Sequence, residues 1–313
     1  MTDHPAVPVI PVTLGRCDEL RAEVYVRSDA GAAAALTGTL SGPYRGRDTT
    51  LPVTARLQPT AAAGVARVIL TEPAYWTPDL PNRYRLQASL ATSGGPPLSV
   101  DRLVGLRRLG VRGRSLWLDA HRWVPRAVRV EDVAGIDACK PARLAALVTE
   151  PDEAMLARAD EIGVAILALG ATSADDDADS FADRIAAWAA HASAAVAILP
   201  HELPAATIAA VARAVRDRKD TLLLAATVDG TAPPPATIAP GIDALVVALD
   251  REALPHDAWL AGPAAPVIAW RHADASPTSG RAPCDALQAA LAAWGTASGR
   301  DTLPYDWSGY AVG

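Results

Sequence analysis

The chain has 313 residues, of which half are hydrophobic and a fifth charged, with a formal net charge of −6. That length can bury a large core and suggests two domains, or one barrel with an appendage. With no basic stripe to outweigh the acidic residues, no nucleic-acid partner is expected.

Cys17, Cys139 and Cys284 are few and widely spaced. They argue against a disulfide framework or a thiolate metal site and suit a reducing compartment. The first residues, Met-Thr-Asp-His-Pro-Ala-Val-Pro, lack a basic segment followed by an apolar one, so no secretory leader is expected. The longest apolar stretch, residues 185–200, contains His191. It is too short and too rich in alanine to cross a bilayer, so no membrane span is expected and the cytoplasm is the expected location.

From about residue 7 to about 105 the pattern is all-β. Alternating runs such as Glu23-Val-Tyr-Val-Arg27, Leu51-Pro-Val-Thr-Ala-Arg-Leu57, Val65-Ala-Arg-Val-Ile-Leu70 and Tyr84-Arg-Leu-Gln-Ala-Ser-Leu90 are separated by turns such as Ser41-Gly42-Pro43 and Ser93-Gly94-Gly95-Pro96-Pro97. Period-two alternation at this spacing predicts a small antiparallel sandwich. In Glu72-Pro-Ala-Tyr-Trp76-Thr-Pro78-Asp-Leu-Pro81-Asn-Arg-Tyr84, two prolines fix a corner and two aromatics are expected to plug the sandwich end.

After Val104-Gly105-Leu106-Arg107-Arg108 the pattern changes, which sets the predicted domains at 1–108 and 109–313. Leu116-Trp-Leu-Asp119-Ala-His-Arg-Trp-Val-Pro-Arg126-Ala-Val-Arg-Val-Glu131-Asp132 reads as the first barrel strand and 144–148 as a second. The gap between them predicts that the first helix is shortened or missing, leaving the barrel somewhat degenerate there. Residues 151–163 read as a helix with Pro at its start, acids in its first turn and Gly at its end. Then come strand 164–169, helix 180–190, a fourth strand within 191–202, helix 204–218, strand 221–226, strand 242–249, strand 266–270, helix 285–293 and a last piece over 303–310. Strand-like and helix-period pieces in alternation predict β/α units around a parallel sheet, and about eight strands suffice for a barrel.

The twelve residues His191-Ala-Ser-Ala-Ala-Val-Ala-Ile-Leu-Pro-His201-Glu202 deliver an acid to the carboxyl end of a buried strand, where such a barrel presents its chemistry. Here the sequence resembles glycoside hydrolase family 2, the β-galactosidase, β-mannosidase and β-glucuronidase group. The family's fourth barrel strand has His-Pro-Ser, apolar residues and Trp, then Gly-Asn-Glu. His191 and Ser193 match, Ala192 replaces the Pro and Ala197 the Trp, and Glu202 takes the general acid/base position. Trp76, Pro78, Pro81 and Tyr84 are similar to a turn in the family's immunoglobulin-like domain, and Val104-Gly105-Leu106-Arg107 to its Phe-Gly-Phe-Arg linker. Ala159-Asp-Glu-Ile-Gly163 resembles its run before the third strand. Arg126, Val128 and Asp132 match its first strand. The resemblance spans about residues 70–271 and implies an immunoglobulin-like β-sandwich followed by a somewhat degenerate TIM (β/α)8 barrel.

It also implies lost chemistry. A retaining glycosidase needs two carboxylates roughly 5–5.5 Å apart. The family's nucleophile closes the seventh strand, where this chain has Pro266-Val-Ile-Ala-Trp270-Arg271. A guanidinium stays protonated and cannot be the nucleophile. Arg129, Glu131 and His201 replace other residues of the family's sugar pocket. The expected ligand-binding set is therefore His201, Arg271, Trp270, Glu131 and Arg129, with Arg271 facing Glu202 across the mouth as an ion pair. Asp229, Asp250 and Asp274 follow strand-like runs. Any of them could complete an inverting pair with Glu202, although turn capping is the simpler reading of each.

Other motifs carry less. Asp175-Asp-Asp-Ala-Asp179 lacks the Gly and Glu of a calcium loop, with Ser180 and Ala186 standing there, and its acids suit the N-terminus of the next helix. His272 with Asp274, and His256 with Asp257, make no strong metal pattern, so no metal or cofactor is expected. There is no Gly-rich phosphate loop and no Gly-x-Ser-x-Gly elbow. Trp270, Trp294 and Trp307 can be read as a sugar platform or as packing. Two functional expectations result: a glycosidase-like binding, scaffold or assembly protein that has lost retaining activity, or an active carbohydrate hydrolase with Glu202 as general acid. The partner would be a carbohydrate or a protein, with an oligomer or a partner-completed site also open.

Overall fold

In the computed structural model the described residues are 10–28, 35–46, 51–91, 97–172, 177–216, 222–297 and 305–313. The expected turn at Ser93-Gly94-Gly95-Pro96, the acids Asp175 and Asp176, Thr221 and the Leu303-Pro304 start of the last piece lie outside them. The chain divides into two compact units, Met1–Arg108 with Ala190–Ala192, and Leu109–Ala189 with Ser193–Gly313.

The first unit is an immunoglobulin-like sandwich. Its strands are β1 (Val12–Cys17), β2 (Arg21–Arg27), β3 (Ala35–Tyr44), β4 (Val53–Arg56), β5 (Gln58–Pro59), β6 (Val65–Thr71), β7 (Arg83–Ala91) and β8 (Leu98–Val104). They form two sheets, ordered β1-β2-β6-β5 and β4-β3-β7-β8, the two-sheet arrangement of that fold with one added edge strand. The alternation read from the sequence is what builds the core. Ala22, Val24 and Val26 of β2, Ala66, Val68 and Leu70 of β6, and Leu86, Ala88 and Leu90 of β7 bury their side chains in one cluster, while their sequence neighbours face outward. The proline corner is tied by hydrogen bonds. The Trp76 amide donates to the Leu106 carbonyl at 2.6 Å, the Ala74 amide to the Tyr84 hydroxyl at 2.8 Å, and the Tyr75 hydroxyl to the Asp18 carbonyl at 2.6 Å. Trp76 is fully buried.

The second unit opens with a small antiparallel sheet, β9 (Leu109–Arg112), β10 (Ser115–Leu118) and β11 (His121–Arg122). A closed barrel of eight parallel strands follows: β12 (Arg126–Arg129), β13 (Ala145–Thr149), β14 (Ile166–Leu169), β15 (Ala194–Leu199), β16 (Leu223–Asp229), β17 (Ala244–Asp250), β18 (Val267–His272) and β19 (Gly309–Val312), with β19 pairing back onto β12. Two apolar layers hold it. Ala127, Leu147, Leu167, Ile198, Ala225, Val246 and Ile268 fill the lumen, and Leu116 of β10 joins them as a plug. Val128, Val148, Ala168, Leu199, Leu224, Val247 and Ala269 point the other way, towards the helices. All three cysteines are free, and burial pushes the Cys284 thiol up to about 11 and the Cys139 thiol to about 12.

The described helices are α1 (Val133–Ala142), α2 (Glu153–Ile162), α3 (Ala178–Ala189), α4 (Ala205–Arg216) and α5 (Ala282–Ala297). Their ends follow capping chemistry. The Asp152 carboxylate accepts from the Met155 amide at 2.8 Å, and Gly163 closes α2 at φ 78°, a conformation that favours glycine. Asp177 caps α3 through the Ser180 amide at 2.8 Å.

The expected site of degeneracy is corrected. The first helix is present and as long as α2, because Asp132 caps it by accepting from the Gly135 amide at 2.8 Å and Arg143 reverses the chain in a single left-handed residue. The helices give way further on. No helix lies between β16 and β17, and only a 3-10 turn, Asp257–Ala261, between β17 and β18. These connections hold Pro233, Pro234, Pro235 and Pro240, then Pro255, Pro263 and Pro266. Each proline inside a helix costs about 3 kcal/mol, so the chain crosses without one.

Two motifs meet at the start of β15. The Ser193 amide donates to the Asp160 carboxylate of α2 at 2.6 Å, and the Ser193 hydroxyl to the Leu156 carbonyl at 3.2 Å, all buried. Asp160→Ala strands that buried amide, which costs about 1–3 kcal/mol. We expect the urea midpoint to fall accordingly in circular dichroism, and an unchanged midpoint would remove the role assigned to this contact.

Candidate functional site

The lumen opens at the carboxyl ends of the strands into a cavity of about 560 Å³. Strand parity selects what lines it. On β12 the inward set is Ala127 then Arg129, on β16 Ala225, Thr227 then Asp229, on β17 Val246, Ala248 then Asp250, and on β18 Ile268, Trp270 then His272. On β15 an irregularity intervenes. Ile166 pairs with Ala194 but Leu167 pairs with Val196, so Ala195 is an extra residue, and Ala195 and Val196 both join the lumen cluster. A bulge of this kind re-aims the rest of its strand, and here it leads Pro200, His201 and Glu202 to the cavity wall. The loop Gly170-Ala171-Thr172 completes that side and is pinned where the Glu150 carboxylate accepts from the Ala171 amide at 2.7 Å.

The cavity thus carries three carboxylates, Glu202, Asp229 and Asp250, one guanidinium, Arg129, and two imidazoles, His201 and His272. Arg129 donates from Nη2 to the Thr149 hydroxyl at 2.9 Å. The Trp270 indole donates to the Gly313 carbonyl at 2.9 Å and lies 4.3 Å from the His272 ring centroid. Being only 5% exposed, Trp270 serves as a wall and leaves no open stacking face.

Asp229 is the most constrained of the acids. Its Oδ1 accepts from the Thr231 hydroxyl at 2.7 Å and the Thr231 amide at 2.8 Å. These two donors, with smaller contributions from nearby His201 and the Ala232 amide, hold its pKa below the ordinary carboxylate value. Hydrogen bonds to the charged form act in this direction. A depressed folded-state pKa contributes stability that is present above the ordinary value and lost as pH falls through the folded value. Asp229 is therefore a fixed anion near neutral pH. Beneath it, Thr227 is 6% exposed and its hydroxyl has no hydrogen-bond partner among the described residues.

Of the residues named from sequence, Glu202, His201, Arg129 and Trp270 line the cavity, and Arg271 and Glu131 do not. Arg271 shares the parity of Val267 and Ala269, which face the helices. Its Nη2 donates to the Ala253 carbonyl at 3.2 Å, and burial lowers its pKa against the raising effect of Glu252. Among the described residues it makes no ion pair with Glu202, so the predicted charge closure of the mouth is absent. Glu131 is exposed beyond the end of β12, where the chain turns into α1. Trp294 and Trp307 are buried in the cluster that faces the helices, which makes them packing residues. Asp274 lies outside the cavity, whereas Asp229 and Asp250 join Glu202 in it. Thr227 and Thr231 carry no sequence expectation as site residues, and His272, weighed only as a metal ligand with Asp274, faces the lumen. The signal for all three was their place at the carboxyl end of a strand. No group of three or more His, Cys, Asp or Glu able to hold a metal occurs among the described residues.

The described residues thus form an immunoglobulin-like β-sandwich and a TIM-type barrel with a polar cavity at its carboxyl mouth. By sequence the chain matches no protein-family model and no curated protein. By fold it is similar to a β-D-glucuronidase of Dictyoglomus thermophilum, with a TM-score of 0.65 at 14% identity, covering 97% of this chain and 61% of that one. It is similar to an FMN-binding β-glucuronidase of Facaelibacterium prausnitzii, with a TM-score of 0.66 at 13% identity, covering 99% and 56%. A glycosyl hydrolase family 2 member from Bacteroides cellulosilyticus gives 0.64 at 13%, covering 97% and 44%. The likeness is one of fold, and the chain spans less than two thirds of the length of these relatives.

The geometry at Asp229 has a direct test. Thr231→Val removes its hydroxyl donor, the largest cause of the shift, so the Asp229 carboxyl should titrate closer to the ordinary value in a ¹³C NMR titration. A titration that does not move would show that Thr231 does not hold the charge.

Proposed function

We propose that the protein binds a carbohydrate at the barrel mouth without the retaining double displacement, serving as a binding component and not as a conventional glycosidase. The observation that carries this reading is the lumen side of β18. It ends in Trp270 and His272, with Arg271 turned to the outside, so the strand that holds the nucleophile in the family it resembles presents no carboxylate to the cavity. What the cavity does present, carboxylates beside imidazoles and a guanidinium, is a set of acceptors and donors suited to sugar hydroxyls.

One observation favours a second reading, hydrolysis with inversion. Glu202 lines the same cavity as Asp229 and Asp250, and inverting enzymes place their acid and base roughly 6.5–9.5 Å apart. Against it, Glu202 sits in an exposed turn. Such a position does not fix a proton donor within the roughly 0.5 Å that catalysis requires.

Calorimetry with monosaccharides and an assay on aryl glycosides separate the two. We expect saturable sugar binding that weakens about tenfold in Arg129→Ala or His201→Ala, the loss of one charged or strongly polar contact, and no turnover that depends on Glu202. Hydrolysis that disappears in Glu202→Ala would establish the second reading, and no sugar binding at all would end the first.

A further inference from the structure

Resting on the carbohydrate reading, the further question is what holds the cavity wall in place. The carboxyl end of β13 is tied on both sides. Thr149 lines the cavity, and its hydroxyl accepts from Nη2 of Arg129 on the neighbouring strand β12 at 2.9 Å. Glu150 comes next and does not line the cavity. Its amide donates to the Leu169 carbonyl at 2.9 Å, and its carboxylate accepts from the Ala171 amide at 2.7 Å. Two consecutive residues thus hold a cavity side chain on one flank and the cavity loop Gly170-Ala171-Thr172 on the other.

Arg184 of α3 adds a third tie. Its Nη2 donates to the Ala171 carbonyl at 3.2 Å, and its Nε lies 3.7 Å from Oε1 of Glu150. Ala171 is therefore held at both of its backbone polar groups, and both hydrogen bonds are charge-assisted. The backbone of Glu150 itself is left-handed, at φ 48°. L side chains adopt that conformation at a cost, and glycine adopts it freely. For the backbone alone glycine would be the better residue, so what Glu150 contributes is its carboxylate.

We infer that Glu150 is a positioning residue of the barrel mouth. Without touching the ligand, its carboxylate fixes the wall Gly170-Ala171-Thr172 through the Ala171 amide, and the affinity of the cavity depends on that fixed wall. A binding surface that is already ordered spends none of its binding energy on ordering, so loosening this loop weakens binding even where the fold is intact.

The test separates position from stability, using the whole chain. Glu150→Gly and Glu150→Ala both delete the carboxylate, but only the first relieves the left-handed backbone, so Glu150→Gly should melt higher than Glu150→Ala. Affinity for glucose, galactose and mannose, read by calorimetry, should nevertheless fall by the same factor in both, about tenfold for whichever sugar the wild type binds. Glu150→Gln keeps an oxygen for the Ala171 amide and should stay within about threefold of wild type. Hydrogen exchange at the Ala171 amide should quicken in the Gly and Ala variants and stay slow in the Gln variant. Affinity that follows melting temperature across the three variants would make Glu150 a structural residue and overturn the inference, and so would unchanged affinity in Glu150→Ala. Unchanged exchange at Ala171 in that variant would overturn the hold on the loop while leaving the carbohydrate reading intact. A wild type that binds none of the sugars would overturn the carbohydrate reading, and the affinity role of Glu150 with it.

Discussion

In a closed barrel of parallel strands every side chain is committed either to the lumen or to the surrounding helices, and hydrogen-bond register decides which. The site of this protein depends on that commitment. Asp229, Asp250 and His272 reach the mouth because Ala225, Val246 and Ile268 further down the same strands already face the lumen. Arg271 is excluded for the same reason, since turning it inward would turn Trp270 outward and empty part of the lumen. The bulge at Ala195 is the one place where the alternation is reset, and it lies on the strand that leads to His201 and Glu202.

The framework is held by contacts remote from the cavity. Asp160 of α2 receives the amide that begins β15, joining the two stretches of sequence most similar to family 2 glycosidases. A buried carboxylate and a buried serine there fix the strand in place. The barrel tolerates proline-rich crossings at its fifth and sixth units for a related reason. Closure comes from strand pairing and the lumen layer, so a missing helix uncovers only part of the outer face.

Much of this was legible in the sequence. The sandwich strands alternate because one face of each is buried and the other wet, so Val24 and Val26, or Leu86 and Leu90, announce their orientation. Helix α2 is readable from Asp152 at one end and Gly163 at the other, because capping is local chemistry. The alternation of strand-like and helix-period pieces, with the resemblance to the glycosidases, pointed to the barrel. Helix α1 was misjudged because one left-handed residue, Arg143, shortens the return to β13 below the usual loop length.

By itself, then, the sequence determined the order and type of most elements, the two-part architecture and the strand-end position of the acids, all of which follow from periodicity, caps and breakers acting over a few residues. Tertiary structure alone decided which strand-end side chains share a cavity. Strands such as Val267-Ile-Ala-Trp270 are buried on both faces, so their composition is uniform and carries no parity. Only the pairing of each strand with its neighbours separates Trp270 and His272, which face the lumen, from Arg271, which does not.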